Sequence, residues 1–241
     1  MKKYWHWARA LIAYSRVVRN TKRLDEVLQF INNFLAAQGD KTLPLLQTFR
    51  DTPEGARALR DRRRIGRLDL DRLATLPPGT LGHELASHLR KHGLDPAALP
   101  VQEAHTEEEY VVAHLHETHD VWHVVTGLGT DDKGEQAIQA FYLAQSPSRV
   151  AIAILSMGFA NTLLYALDEY VIRMNAIARA WFLGRRAQSL LGVDWKTLWS
   201  IPLAEVRARY DIDLDAADQF AAGFRRAPRP ANDATPSVSA S

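Results

Sequence analysis

Apolar residues recur at helical spacing along most of this chain. Leu24, Val27, Leu28, Ile31, Phe34 and Leu35 fall at i, i+3, i+4 and i+7 and predict an amphipathic helix over 24–37, with Gly39 as its C-cap. Thr52-Pro53-Glu54 reads as the N-cap, first position and first turn of another helix. Leu76-Pro77-Pro78-Gly79-Thr80 reads as a turn that places Thr80 to cap a helix over 81–92, ended by Gly93. Pro96 and Pro100 mark a loop. Thr106-Glu107-Glu108-Glu109 is a capping box opening a helix that runs through Val125. Gly127, Gly129 and Gly134 then break the pattern, and a further helix is predicted over 132–145, stopped by Ser146-Pro147. Shorter helical stretches come at 195–199 and 203–210. No strand alternation and no internal repeat stands out. The pattern predicts an all-α fold, a single multi-helix domain over 1–222. Residues 223–241, with Pro228, Pro230 and Pro236 among Ser and Ala, read as a disordered tail.

Two segments bear on membranes. The start, MKKYWHWARALIAYSRVVRNTKR, carries Lys2, Lys3, Arg9, Arg16, Arg19, Lys22 and Arg23 with no acid before Asp25. It lacks the apolar run and cleavage site of a secretory signal. As a helix it is basic and aromatic, suited to packing on the domain or to lying in a membrane interface. The longest charge-free window, 150–167, is at the lower edge of the length that spans a bilayer and is interrupted by Ser156, Asn161 and Thr162. Asp168, Glu169 and Arg173 continue its helical pattern, so it reads as a buried helix, one that could line an apolar pocket.

Composition narrows the chemistry. Of 241 residues, 46% are apolar and 24% charged, enough to build a core. The absence of Cys excludes disulfides, thiolate zinc sites and cysteine nucleophiles, so any metal is held by nitrogen and oxygen. A net charge of +2 is too small to argue by itself for a nucleic-acid partner, and none is expected. Arg57, Arg60, Arg62, Arg63, Arg64, Arg67 and Arg72 are interleaved with Asp61, Asp69 and Asp71 and lack aromatic residues for base stacking. They read as a solvated face or a contact for anions or lipid headgroups.

The segment HETHDVWHVVTGLGTDDKGE, from His116 to Glu135, carries the candidate chemistry. His119 and His123 are one helical turn apart, about 5–6 Å between Cβ atoms, so both imidazoles can reach one metal. Asp120 points about 100° round the helix and could ligate from the flank or accept a bond from a ligating His. If the chain reverses at the glycines, Glu135 returns beside the histidines. Imidazoles favour zinc or iron over magnesium, and carboxylates keep the site hard enough for either. The competing readings are a solvated or core-satisfied His pair, and a capping box in which Asp132 and Glu135 serve only the helix start. His83-Glu84-Leu85-Ala86-Ser87-His88 has one residue too many for a zinc-protease motif. His88 and His92 lie where a His simply answers the helix dipole. His114 and His116 are candidates to support the metal residues from behind.

His119-Asp120-x-x-His123, eleven residues, then Glu135 resembles the HDxxH-x11-E signature of the coenzyme Q (ubiquinone) biosynthesis proteins, fourth in that numbered series. The Leu76–Gly82 turn, Arg64-Ile65, Leu68-Asp69-Leu70, Tyr110-Val111 and Gly184-Arg185-Arg186-Ala187 are similar to the family's other motifs. The resemblance implies an all-helical protein peripheral to a membrane, with His119, Asp120, His123 and Glu135 as metal and catalytic residues. It implies a divalent metal, zinc first, with Fe2+ or Mg2+ as alternatives. The implied substrate is a polyprenylated 4-hydroxybenzoate-type lipid with an isoprenoid pocket nearby, and the implied reaction is loss of the ring carboxylate with hydroxylation at that carbon. The implied partners are other ubiquinone-biosynthesis proteins, and a homodimer is possible. Lacking the leader of mitochondrial members, the sequence suggests a bacterial cytoplasmic protein at the inner membrane. Two alternatives stand beside this: a non-catalytic lipid-binding scaffold for the pathway's enzymes, and an HD-type metal phosphohydrolase with Asp168 as its downstream acid.

Overall fold

The computed structural model describes residues 2–21, 23–38, 43–96 and 102–223. Among these the chain is helical, and its one β-feature is an isolated bridge between Thr80 and Pro202. The expected tail falls on residues outside the described ones, Gly223 excepted, as do Gly39 and Pro100. In chain order the helices are α1 Lys2–Arg19, α2 Leu24–Gln38, α3 Leu43–Asp51, α4 Pro53–Asp61, α5 Leu70–Ala74 and α6 Leu81–Lys91. They continue with α7 Glu107–Thr126, α8 Asp132–Gln145, α9 Arg149–Tyr165, α10 Tyr170–Arg186, α11 Leu203–Arg209 and α12 Leu214–Ala222. α3, α5 and α12 are too short to show a periodicity in sequence.

Local chemistry sets most boundaries. The Thr52 hydroxyl accepts from Gly55 N with Pro53 at the first position, and the box at α7 closes through Thr106 and Glu109. Thr80 departs from expectation: it stands at the N-cap of α6, but its hydroxyl donates to the Pro77 carbonyl and does not cap the helix.

The main core joins α3 to α8 and α10 to α12 around Phe49, Tyr110, Trp122, Phe141 and Trp195. α8 packs along α10, where Gln145 Nε2 donates to the Gly184 carbonyl at 2.9 Å. A smaller cluster joins α1 and α2 to Met157 of α9. Part of the arginine-rich stretch is engaged within the protein, while Arg57, Arg67 and Arg72 are exposed. Arg64 makes a bidentate pair with Glu117 of α7 at 2.6 and 2.9 Å, Arg63 pairs with Asp61, and Arg62 donates to the Thr106 carbonyl.

The apolar window corrects two expectations. It is not a fully buried helix, and its helix does not run on into the next one. α9 ends at Tyr165, a 3-10 turn covers Leu167–Glu169, and α10 leaves at 117° to α9. Ala151, Leu155, Met157, Gly158 and Asn161 face the protein. Leu163 (68%), Leu164 (61%), Leu167 (61%) and Ile172 (58%) face outward. Arg173 holds the bend: its buried guanidinium reaches Glu169, Asn161 Oδ1 and Thr162 Oγ1, and Asn161 Nδ2 donates to the Val18 carbonyl of α1. Among the described residues no single helix is long and apolar enough to cross a membrane.

Candidate metal centre

The site is built where α7 ends and α8 begins. Twenty residues of α7 are fixed at the start by its capping box. At its end Arg207 of α11 donates to the Val124 and Val125 carbonyls at 3.0 and 2.9 Å, meeting the negative end of the helix. Gly127 then takes a left-handed φ of +64°, which suits glycine at this helix exit. The chain reversal beyond it needs Gly134: a Cβ there would sit 1.9 Å from the Gly129 carbonyl oxygen. Asp131, not Asp132, caps α8, accepting from Gly134 N at 3.0 Å. The capping box from Asp132 to Glu135 therefore does not form. Glu135, one turn into the helix, instead turns its carboxylate toward α7.

Three of the four sequence-predicted residues converge. The Nε2 atoms of His119 and His123 are 3.1 Å apart. Glu135 offers one oxygen to each, at 3.4 Å from His119 Nε2 and 3.3 Å from His123 Nε2. A tetrahedral zinc with bonds of about 2.0–2.1 Å separates its ligands by about 3.3 Å, so these donors are spaced as one face of such a site. His123 is closed off, while the side chains of His119 and Glu135 are 30% and 44% exposed, leaving an open side for water or substrate. Asp120 is not in this group. It stays near enough to raise the pKa of both His119 and Tyr142, acting as a neighbouring charge. Asp168 sits on the exposed turn between α9 and α10, and is likewise outside the group.

A carbonyl selects the tautomer of His123 that presents a lone pair. His123 Nδ1 lies 3.0 Å from the Leu128 carbonyl, which can only accept, so Nδ1 carries the hydrogen and Nε2 is free to ligate. His119 Nδ1 lies 3.3 Å from the Tyr142 hydroxyl, and the two rings are parallel, 2° apart. Burial alone would raise the Glu135 carboxyl, but bonding to His119 and His123 outweighs it and holds the group far below its ordinary value. For His119, burial is outweighed by Glu135 and Asp120, and its pKa is raised. Two imidazole nitrogens, each with a partner at its other ring nitrogen, and a carboxylate form a donor set for one small divalent cation.

Tyr142 lies beside the site although no motif marks it in the sequence, and so does His88, which reads from sequence as a helix-end residue. Tyr142 stands seven positions after Glu135, on the same face of α8, so helical spacing is the signal that points to it. His88 of α6 is near only through tertiary packing. Its ring lies within 16° of parallel to that of His123, with centroids 6.4 Å apart. Burial, then His92 and His123, lower its pKa. His116 is half-buried beside His119 and its pKa is also lowered by burial. His114 is elsewhere: it packs edge-on to Phe49 and near the Tyr110 hydroxyl, and does not support the metal group.

Comparison with known proteins adds a lineage. The family profile of coenzyme Q (ubiquinone) biosynthesis protein Coq4 matches residues 16–215. The ubiquinone biosynthesis protein COQ4 homolog, mitochondrial, of Rattus norvegicus is 32% identical over 179 residues, 72% of this chain and 67% of that protein. The COQ4 protein of Podospora anserina is 30% identical over 220 residues, 83% of this chain and 66% of that one. The chain thus spans about two thirds of the length of these relatives. A crystal structure of a candidate ubiquinone biosynthesis protein from Nostoc punctiforme superposes with a TM-score of 0.73 at 28% identity, covering 86% of this chain and 98% of that one.

Proposed function

The chain belongs to the coenzyme Q (ubiquinone) biosynthesis protein Coq4 family, and on that premise we propose that it serves ubiquinone biosynthesis as a metal-dependent oxidative decarboxylase of a polyprenylated 4-hydroxybenzoate-type precursor. The observation that carries the reading is the meeting of His119, His123 and Glu135 at ligand spacing on an open-sided site. In the reaction the bond from ring carbon to carboxylate breaks, CO2 leaves and a C–OH bond forms at that carbon. The hydroxyl oxygen comes from water and O2 takes up the two electrons with two protons, so that acid, O2 and H2O give phenol, CO2 and H2O2. A bound divalent cation, zinc first, supplies positive charge to orient the substrate carboxylate and polarise the ring.

The chain's own residues do the rest. His123, held by the Leu128 carbonyl, and His119, held by Tyr142, fix the donor geometry. To Asp120, next to His119 in sequence and outside the donor group, we assign the role of accepting and returning a proton from a phenol or water. The exposed apolar elbow of α9 and α10 supports a resting place for the isoprenoid tail. With the exposed Trp5, Trp7, Leu11 and Ile12 of α1, it also supports contact with a membrane surface. α1 contains no acid and carries Arg16 and Arg19 in its last turn, which favours anionic headgroups along that helix. That agrees with a protein at the periphery of a membrane. The same face supports the second reading, a scaffold that docks lipid and pathway enzymes without turnover.

The test is metal analysis of the full chain purified without chelator or histidine tag, with CO2 release from carboxyl-labelled prenyl-4-hydroxybenzoate under air. His123→Ala is expected to lose both metal and CO2 release. Full activity of metal-free protein would overturn the metal-dependent reading, and tight lipid binding with no CO2 would leave the scaffold.

A further inference from the structure

The metal centre has a polar neighbour that the proposed reaction does not use. His88 and His92 lie one turn apart on α6, their ring centroids 4.7 Å apart, and α6 packs against α7. This brings the His88 ring alongside that of His123. His88 Nε2 is shielded from solvent and has no hydrogen-bond partner. A His that merely answers a helix dipole would spend its ring nitrogen on the last carbonyls or on water. An imidazole nitrogen left unpaired and shielded beside the ring of His123 lacks the partner that a bound molecule would bring. The electrostatic surroundings of His88 are Asp120, His92, His123 and the Lys91 ammonium. A divalent cation held by two neutral imidazoles and one carboxylate keeps a net positive charge, so an anionic group is the ligand it attracts.

We propose that His88 is a substrate-contacting residue of this centre, donating a hydrogen bond from Nε2 to the carboxylate of an aromatic acid seated at His119, His123 and Glu135. The assignment rests on the proposed function for the metal and the acid, and adds a specificity determinant from a different helix. His88 selects for acids over neutral phenols of the same shape. It takes no part in holding the cation.

The experiment titrates the zinc-loaded, full-length chain with 4-hydroxybenzoate and, in parallel, with phenol, following heat of binding and zinc per chain. His88→Phe keeps an aromatic ring and removes the donor. It is expected to weaken 4-hydroxybenzoate about 10-fold, the loss of one charge-assisted hydrogen bond, with phenol affinity and zinc content unchanged. His88→Gln, which retains a donor, is expected to stay within about threefold of the parent. Equal affinity of His88→Phe and parent for 4-hydroxybenzoate overturns the proposal. So does loss of zinc in His88→Phe, which would make His88 part of the cation's own support. A parent chain that takes up zinc but binds no 4-hydroxybenzoate overturns it as well, whereas a parent that takes up no zinc removes the metal reading beneath it.

Discussion

The Nε2 atoms of His119 and His123 face one another at 3.1 Å, with the Glu135 carboxylate across from both. His123 is committed to presenting a lone pair there, because its other nitrogen serves the Leu128 carbonyl. Two such lone pairs repel unless a proton or a cation lies between them. Burial opposes protonation of His119, but the Glu135 and Asp120 charges outweigh it and raise its pKa. Glu135→Gln keeps the side-chain volume and removes the negative charge. Divalent-cation affinity is expected to fall by more than about 100-fold, beyond what loss of an outer partner costs. The helical circular-dichroism spectrum is expected to stay unchanged. Equilibrium dialysis against zinc checks this, and near-parental uptake by Glu135→Gln would refute it.

Tyr142 acts through His119. Its hydroxyl is 3.3 Å from Nδ1, and burial, with Asp120 and Glu135 nearby, pushes its pKa upward, so it stays protonated. Tyr142→Phe removes one hydroxyl and keeps the parallel ring contact. Zinc affinity is expected to fall about 10- to 100-fold, as for other groups that orient a ligating His, with little change in melting temperature. A loss of stability with unchanged affinity would reassign Tyr142 to the core.

Gly134 decides whether α8 returns to α7 at all. Any side chain there meets the Gly129 carbonyl oxygen, whereas a Cβ at Gly129 meets only Asp131, with Oδ1 at 3.3 Å. Gly134→Ala is therefore expected to cost more than about 2 kcal/mol, in the range of backbone clashes, and to lose zinc. Gly129→Ala is expected to cost less on both measures. Urea denaturation and dialysis of the two variants give the comparison.

Legibility in the sequence tracks the range of the interaction that decides each feature. The capping box at Thr106 and Glu109, the Thr52 cap and the His119–His123 turn are local, and sequence spacing locates them. The return of Glu135 is readable because glycines announce a reversal. The bend between α9 and α10 is not. No proline or glycine marks 165–170, and the apolar period runs on through it. What stops the helix is Arg173, folded back onto Asn161 and Glu169. His88 escapes the sequence for a related reason: a dipole role is plausible within α6, and only packing against α7 reveals the ring of His123. Asp120, next to His119 in sequence, falls outside the ligand group because consecutive helical residues point in different directions.

His114 sets an acid limit on stability that is independent of the metal. Burial pushes its pKa down from 6.5 to about 4, partly offset by the Arg63 carbonyl and the Glu117 charge, with Arg64 and Asp194 also in range. The unfolded chain takes up this proton near pH 6.5, the folded chain only near 4. Between those values the unfolded state binds more protons, so stability falls as pH falls. The loss amounts to about 3 kcal/mol by pH 4. Replacing His114 by Phe, which keeps a ring against Phe49, is expected to flatten this limb. Urea midpoints at pH 7 and pH 4.5 check it, and an equally steep loss in the variant would assign the limb to the carboxylates alone.

Arg173 is the most exacting test of the elbow. Its guanidinium is almost wholly buried and reaches three side chains: the Glu169 carboxylate at 2.8 Å, Asn161 Oδ1 at 2.9 Å and Thr162 Oγ1 at 3.1 Å. Arg173→Met keeps the apolar stem and removes every one of those bonds. Glu169 is half exposed and returns to water at little cost, but Asn161 Oδ1 stays buried without its donor. The expected penalty is about 1–3 kcal/mol, that of one buried unsatisfied acceptor. Because Asn161 also bonds the Val18 carbonyl, the strain should reach α1. Hydrogen exchange is expected to quicken at the α9–α10 turn and at the C-terminal end of α1, while the amides of α7 keep their protection. Uniform acceleration across all helices would mean that Arg173 stabilises the fold as a whole and not the elbow.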